Sequence, residues 1–301
     1  MSNVQIRFGF EIVIECEHPV PMLLALAPRP DIDLHLIGSD EIHAEPDVPL
    51  EIYFDAFGNQ FARIVAPVGG LTLWSDCIAQ VDGRPDPVNV EARLAPVQDL
   101  PVETLQFLAP SRYCESDELG DFAWDYFGFY TPGWQQVQAI CDYVHEQTTF
   151  DYKFGRPTKT AHEVHIEKSG VCRDFAHLAI SLCRAMNIPA RYVSGYISDI
   201  SAPETGPTDF CAWFEVFLDG AWHTFDARHN KPRVGRVQMV RGRDAADVAI
   251  ITSFGSYDLT HFRVWTMGLP PGSDDNTLLE SLRTRPDTPA LVFPSSAMIE
   301  D

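Results

Sequence analysis

Apolar and polar positions along this chain follow two different periods, and the change falls near residue 100. Before it, the apolar positions gather in strand-like runs. Gln5–Glu15, Leu50–Phe54, Phe61–Val65, Leu71–Val81 and Val88–Leu94 are rich in β-branched and aromatic residues, which suit extended backbone. Asp55-Ala56-Phe57-Gly58-Asn59 is turn chemistry suited to a hairpin between the second and third runs. Short strands punctuated by regular turns predict an N-terminal β-sandwich over 1–108. A Pro-punctuated passage at Leu100–Pro110 leads out of it.

After that passage helical spacing takes over. Val137, Ile140, Cys141 and Val144 mark a helix following Thr131-Pro132-Gly133, and Thr160–Lys168 reads as a short helix. Val171, Phe175, Leu178, Ala179, Leu182 and Met186 form one apolar stripe, with Ser169 as the expected N-cap and Asn187-Ile188-Pro189 as the stop. Phe150–Thr160 reads as a loop. Cys211–Leu218 and Ala221–Ala227 are strand-like runs around Asp219-Gly220, a favoured two-residue hairpin signal. The aromatic passage of Trp124, Tyr126, Phe127, Phe129, Tyr130 and Trp134 reads as core. The expectation is an α+β protein with a core domain over 109–270. Residues 271–301 are polar and Pro-rich apart from Ala290–Phe293, and read as a flexible tail.

Charge and cysteine content narrow the function. A net charge of −21 argues against nucleic acid, whose phosphates need a basic face. Lys231, Arg233, Arg236, Arg241 and Arg243 form one basic cluster, expected to be salt-bridged and solvated. No run of about 18 apolar residues indicates a membrane span. Met1–Arg7 has neither the basic nor the apolar part of a secretory leader. Seven cysteines without regular spacing read as reduced thiols, and the expected location is the cytoplasm. Cys and His lack metal-ligand spacing, so no metal or cofactor is expected.

Cys172 is the candidate for chemistry. It falls in the first turn of the predicted helix, where unpaired N–H groups and the helix dipole favour a thiolate. The same position would also suit a packed structural cysteine. Residues 170–197, with Gly-Val-Cys-Arg-Asp-Phe-Ala and Ile-Pro-Ala-Arg-Tyr-Val-Ser-Gly-Tyr, resemble the core of the bacterial transglutaminase-like superfamily. Ala212–Val216, Trp222–Asp226 and Gly242–Val248 resemble it too, in the right order. The resemblance implies a papain-like core behind an N-terminal β domain, with a cysteine nucleophile, a histidine base and an aspartate that orients the histidine. Its histidine position immediately precedes Ala-Trp, and here that residue is Cys211.

Hairpin geometry gives a register independently. A two-residue loop pairs Leu218 with Ala221, so Trp213 lies opposite Asp226 and Cys211 opposite Arg228, all four on one face. Asp226 matches the resembled family's aspartate. Arg228 is expected to pair with Asp226 or to stabilise the Cys172 thiolate, and Asp174 to line the site. His223 falls on the opposite face. His229, at a strand end, could bend back toward Asp226 and replace the missing base; His162, His165 and His177 are weaker candidates.

Three functions fit. The first is cysteine-dependent acyl transfer or hydrolysis of an amide or peptide, free or within a protein, through a Cys172 thioester. The second is a binding or scaffold protein that keeps the fold without the reaction. The third is a thiol-redox switch between Cys172 and Cys211, which needs Cα atoms within about 7 Å.

Overall fold

The computed structural model describes residues 3–32, 34–200, 208–270 and 273–291. In chain order it begins with strands β1 (Asn3–Cys16), β2 (Val20–Leu24), β3 (His35–Ile37), β4 (His43–Glu45), β5 (Glu51–Phe54), β6 (Gln60–Ala66) and β7 (Gly69–Asp82). Helices α1 (Gly120–Phe127) and α2 (Trp134–Gln147) follow, then β8 (Thr149–Phe150), α3 (Ala161–Glu167), β9 (Ser169–Gly170) and α4 (Cys172–Ala185). The remainder runs β10 (Ala190–Ile197), β11 (Cys211–Leu218), β12 (Ala221–Phe225), β13 (Arg236–Gly242), β14 (Ile251–Ser253), β15 (Asp258–Gly268) and α5 (Asp275–Ser281).

Two antiparallel sheets make the expected sandwich. One has the order β15-β1-β7-β3, with β4 also on β7; the other is β14-β2-β6-β5. Along β1 every second residue, Phe8, Phe10, Ile12 and Ile14, is buried in one core with Met22, Leu24 and Ile64 of the second sheet. This is the two-residue period of a strand with one covered face.

The strand assignments need three corrections. Val88–Leu94 forms no strand: Pro85 and Pro87 precede it without N–H donors, Val88 and Val90 are exposed, and only Arg93 makes a bridge, to Gly133. The short strands β2, β3 and β4 lack a legible apolar period. Finally, β15 pairs along β1 from Ile6↔Gly268 to Glu15↔Asp258, and β14 pairs with β2. Residues 251–268, expected within 109–270, therefore complete the N-terminal sheets. Pairing across such a sequence separation leaves no local trace.

The tail also differs from expectation. Asp274 accepts the N–H groups of Asn276 and Thr277 to cap α5, and Leu278 is buried on Ile37 and Ile78. Leu291 donates its N–H to the Phe262 carbonyl; Phe293 lies outside the described residues. Of the aromatic passage, Phe127 and Trp134 are core, whereas Trp124, Tyr126 and Phe129 are exposed.

The second half is organised by α4. The helix lies on the sheet β12-β11-β10-β13, its Phe175, Leu178 and Leu182 sharing a core with Ala212, Phe214 and Val216 of β11 and with Val137, Ile140 and Val144 of α2. Ser169 does not cap it, because Ser169 is engaged in the β8–β9 ladder opposite Thr149. The Asp174 carboxylate instead reaches back to the Val171 N–H at 2.9 Å, satisfying a donor that the helix itself leaves unpaired. Asn187, at φ 61, turns the chain out of the helix.

The β11–β12 hairpin has the expected register, Phe214↔Phe225 through Leu218↔Ala221. Asp219 and Gly220 both adopt positive φ, as a two-residue turn of this hand requires. Gly195 on β10 is dictated by packing: a Cβ there would lie 2.1 Å from the Val237 carbonyl oxygen.

The crossing of the chain back into the sandwich has a direct consequence. A fragment spanning 109–270 carries β14 and β15 without their partners, and is expected to be insoluble or unfolded by circular dichroism. Soluble, cooperatively folding material would show that those strands are dispensable to the α4 core.

Candidate active site

Cys172 opens α4, 8% exposed. Its Sγ donates to the Phe210 carbonyl at 3.8 Å and receives the Ala212 N–H, so the sulfur is held against the backbone on both sides of Cys211. The Arg228 guanidinium lies 3.8 Å over the Phe150 ring, and its Nη1 donates to the Cys211 Sγ at 3.8 Å. The β11–β12 ladder stops at Phe214↔Phe225, and Arg228 reaches Cys211 by its side chain from the turn that follows.

Electrostatics ties five side chains together. Burial, reinforced by the nearby Asp209 carboxylate, pushes the Cys172 thiol up to about 11, against the pull of Arg228 and the Ala212 N–H. The helix terminus thus does not by itself yield a thiolate, contrary to the sequence expectation, because desolvation outweighs it. Burial likewise raises Asp209 to about 7, opposed by the Phe210 N–H and by Arg228. The Tyr152 hydroxyl is pushed up by burial and by Asp209, Cys172 and Cys211, with Arg228 opposing. Arg228 is the positive centre of this group.

Asp226 sits behind it. One carboxylate oxygen accepts the backbone N–H groups of Arg228 at 3.1 Å and His229 at 3.0 Å. The other meets His229 Nδ1 and Arg236 Nη2, each at 2.9 Å. Burial would raise its pKa, but Arg236 and His229 outweigh burial and hold it well below the usual carboxylate range. Arg228 offers Asp226 its backbone N–H; the guanidinium that pairs with the carboxylate belongs to Arg236, which also reaches Asp86 at 2.9 Å. Trp213 is fully buried beside Cys211, its ring 4.8 Å beneath Arg236.

The anticipated bend at His229 occurs and joins its ring to Asp226. His223 is engaged with the Leu218 carbonyl at 3.1 Å. His177 is buried between Tyr113 and Tyr192 and accepts the Ala245 N–H at 3.2 Å. His165 packs on Phe122, and the His162 N–H meets Glu115 at 3.1 Å. Asp174, fully buried and bound to Val171 and Arg173, shapes the start of α4 rather than facing the cleft. The basic cluster is largely paired, Arg236 with Asp226 and Asp86, Arg241 with Asp31 and Arg243 with Asp247.

Sequence reasoning missed Asp209 and Tyr152, and met Arg236 only within the basic cluster. Asp209 was within reach, since it stands two residues before Cys211, the step that keeps side chains on one side of an extended chain. Two cavities border the region. The larger, ≈250 Å³, is lined by Trp134, Cys141, Asp226 and Arg236 and lies away from the sulfur of Cys172. The smaller, ≈150 Å³, is lined by Asp209, Cys211, Asp199, Arg233 and Trp265.

A helix-borne cysteine against an antiparallel sheet is the core of a papain-like fold, and residues 125–227 match the Transglutaminase-like superfamily. Over that stretch the chain is similar to transglutaminase-like proteins. The whole chain is similar to a candidate cysteine protease from Cytophaga hutchinsonii, 29% identical, covering 92% of this chain and 96% of that one with a TM-score of 0.78. It is also similar to uncharacterised proteins of Mycobacterium leprae and Mycobacterium tuberculosis. The first is 35% identical over 97 residues, 30% of this chain and 35% of that protein. The second is 29% identical over 216 residues, 64% of this chain and 68% of that protein. The chain thus matches about a third of the Mycobacterium leprae protein's length.

The depressed pKa of Asp226 sets a stability test. A carboxyl whose folded pKa lies below its unfolded value of about 3.9 stabilises the fold above that value and loses the contribution as pH falls toward the folded pKa. Asp226→Asn leaves the buried Arg236 short of its counter-charge. It is expected to cost about 3–5 kcal/mol at pH 7, measured by urea unfolding, with the gap to wild type narrowing below pH ~4. A gap that is absent, or constant with pH, would contradict the assigned role.

Proposed function

We propose that the chain is a cysteine-dependent acyltransferase or peptidase acting on peptide or protein amides, with Cys172 as nucleophile. One observation carries the reading: the Cys172 sulfur is fixed at the opening of α4 between the Phe210 carbonyl and the Ala212 N–H, with Arg228 as its neighbouring cation. The likeness to the Cytophaga hutchinsonii protein across both parts of the chain supports it.

In this reaction the sulfur attacks the carbonyl carbon and forms a C–S bond. The leaving amine departs as the C–N bond breaks, and water or a second amine resolves the thioester. The first N–H groups of α4 face the developing oxyanion. Arg228 stabilises the sulfur as it ionises, the service an imidazolium performs in a Cys-His pair. A thiol held up to about 11 is almost wholly protonated at neutral pH, so the proton must leave within the site.

A second reading has its own support. Cys211 in place of a histidine, together with the raised thiol, fits a binding protein that keeps an enzyme's fold. The two separate on Cys172→Ala. With a casein digest as substrate and a fluorescent primary amine as acceptor, the substitution is expected to abolish both cleavage and amine incorporation. Turnover retained in the variant would refute the nucleophile, and a wild type that forms no thioester at Cys172 would favour the binding protein.

A further inference from the structure

We infer that Asp209 is the general base and acid of the Cys172 reaction, standing in for the histidine that Cys211 replaces. The inference rests on Cys172 being the nucleophile and adds the residue that moves its proton.

The geometry is local. Asp209 adjoins Phe210, whose carbonyl accepts the Cys172 thiol. Its Oδ1 is turned to the Phe210 N–H at 2.6 Å, which fixes the carboxylate against the strand entry. The same carboxylate raises the Cys172 thiol and the Tyr152 hydroxyl by its charge, so it lies within electrostatic reach of both. It is half-buried and lines the ≈150 Å³ cavity together with Cys211, a space with room for water beside the carboxylate. His229 meets the Asp226 carboxylate through Nδ1, an oxygen that Arg236 shares, and is the competing base that the test below separates from Asp209.

The groups around Asp209 set how it titrates. Arg228 faces it from the turn after β12 and favours its ionised form, as does the Phe210 N–H, while burial opposes both and leaves it near neutrality. Cys172 faces it from α4 and Tyr152 from the turn before α3; Asp199 and Arg233 line the shared cavity. A carboxyl that gains and loses a proton near pH 7 suits catalysis in both directions.

The proton balance closes. In acylation Asp209 takes the thiol proton as the C–S bond forms, then gives it to the leaving amine as the C–N bond breaks. In deacylation it takes a proton from water as the C–O bond forms, and returns it to the sulfur as the C–S bond breaks. Arg228 stays charged throughout and steadies the sulfur when it is anionic.

Deacylation isolates the role. Cys172 is acetylated with p-nitrophenyl acetate, and loss of the acetyl group is followed by peptide mapping from pH 5 to 9. The wild-type rate is expected to rise through an inflection near 7. Asp209→Asn should slow it by about 10²–10⁴-fold and remove the inflection, while Asp209→Glu restores one; circular dichroism checks that each variant is folded. A carboxylate acting only as a charge predicts the opposite, since its removal eases the approach of hydroxide. Deacylation of Asp209→Asn as fast as wild type or faster therefore overturns the assignment and returns the base to His229. If Asp209→Asn misfolds, an Asp209→Glu variant with an unmoved inflection overturns it equally. A wild type that never acetylates at Cys172 removes the nucleophile and this assignment together.

Discussion

A carboxylate taken out of water costs several kcal/mol unless charge and hydrogen bonds replace the solvent. Asp226 has both kinds of replacement, and the organisation around Cys172 follows from how they are arranged. One oxygen is filled by the N–H groups of Arg228 and His229, which folds the chain into a turn directly after β12. The other is filled by Arg236 and His229, which balances the charge. The Asn230 N–H returns to the Asp226 carbonyl at 2.8 Å and the Arg228 carbonyl meets His145 Nδ1 at 2.9 Å. With its backbone held at these points, Arg228 has its side chain over Phe150 and against Cys211.

That turn changes what the aspartate of a Cys-His-Asp arrangement is for. In the triad logic the carboxylate orients an imidazole that moves a proton. Here it holds the His229 imidazole through Nδ1 and, through backbone N–H groups, the turn that carries Arg228, whose guanidinium cannot be deprotonated at any working pH. Arg228 supplies positive charge beside the sulfur and nothing to accept its proton. The Cys211 side chain takes the Arg228 guanidinium against its sulfur at 3.8 Å. The proposed reaction still needs a proton acceptor, the part assigned above to Asp209, which burial raises to about 7.

The sequence carried much of this, and the reasons it stopped where it did are physical. Asp219-Gly220 fixed a hairpin register because a two-residue turn leaves one pairing, and that register holds from Leu218↔Ala221 to Phe214↔Phe225; beyond it the chain turns, and Arg228 reaches Cys211 by its side chain. The apolar stripe from Val171 to Met186 located α4 because the helical period is written locally. Its first residue was misread at Ser169, since the competing β8–β9 ladder depends on Thr149, twenty residues upstream. The return of β15 to β1 spans almost the whole chain and has no local signature. Arg236 was seen only as part of a basic cluster; its pairing with Asp226 appears once β13 is known to lie in the same sheet. The thiol's raised pKa was hidden for a similar reason: the helix terminus is legible in sequence, while desolvation is a property of the packed site.

In the proposed reaction Arg228, held by Asp226, is the cation that makes Cys172 usable as a nucleophile. Alkylation by iodoacetamide from pH 5 to 9, mapped peptide by peptide with the other six cysteines as internal controls, tests it most directly in wild type and Arg228→Gln. Cys172 is expected to label faster than the other six and still to gain rate at pH 9, as a thiol near 11 requires, and Arg228→Gln to slow it. Cys172 labelling no faster than the other six, or at an unchanged rate in Arg228→Gln, would rule out Arg228 as that cation.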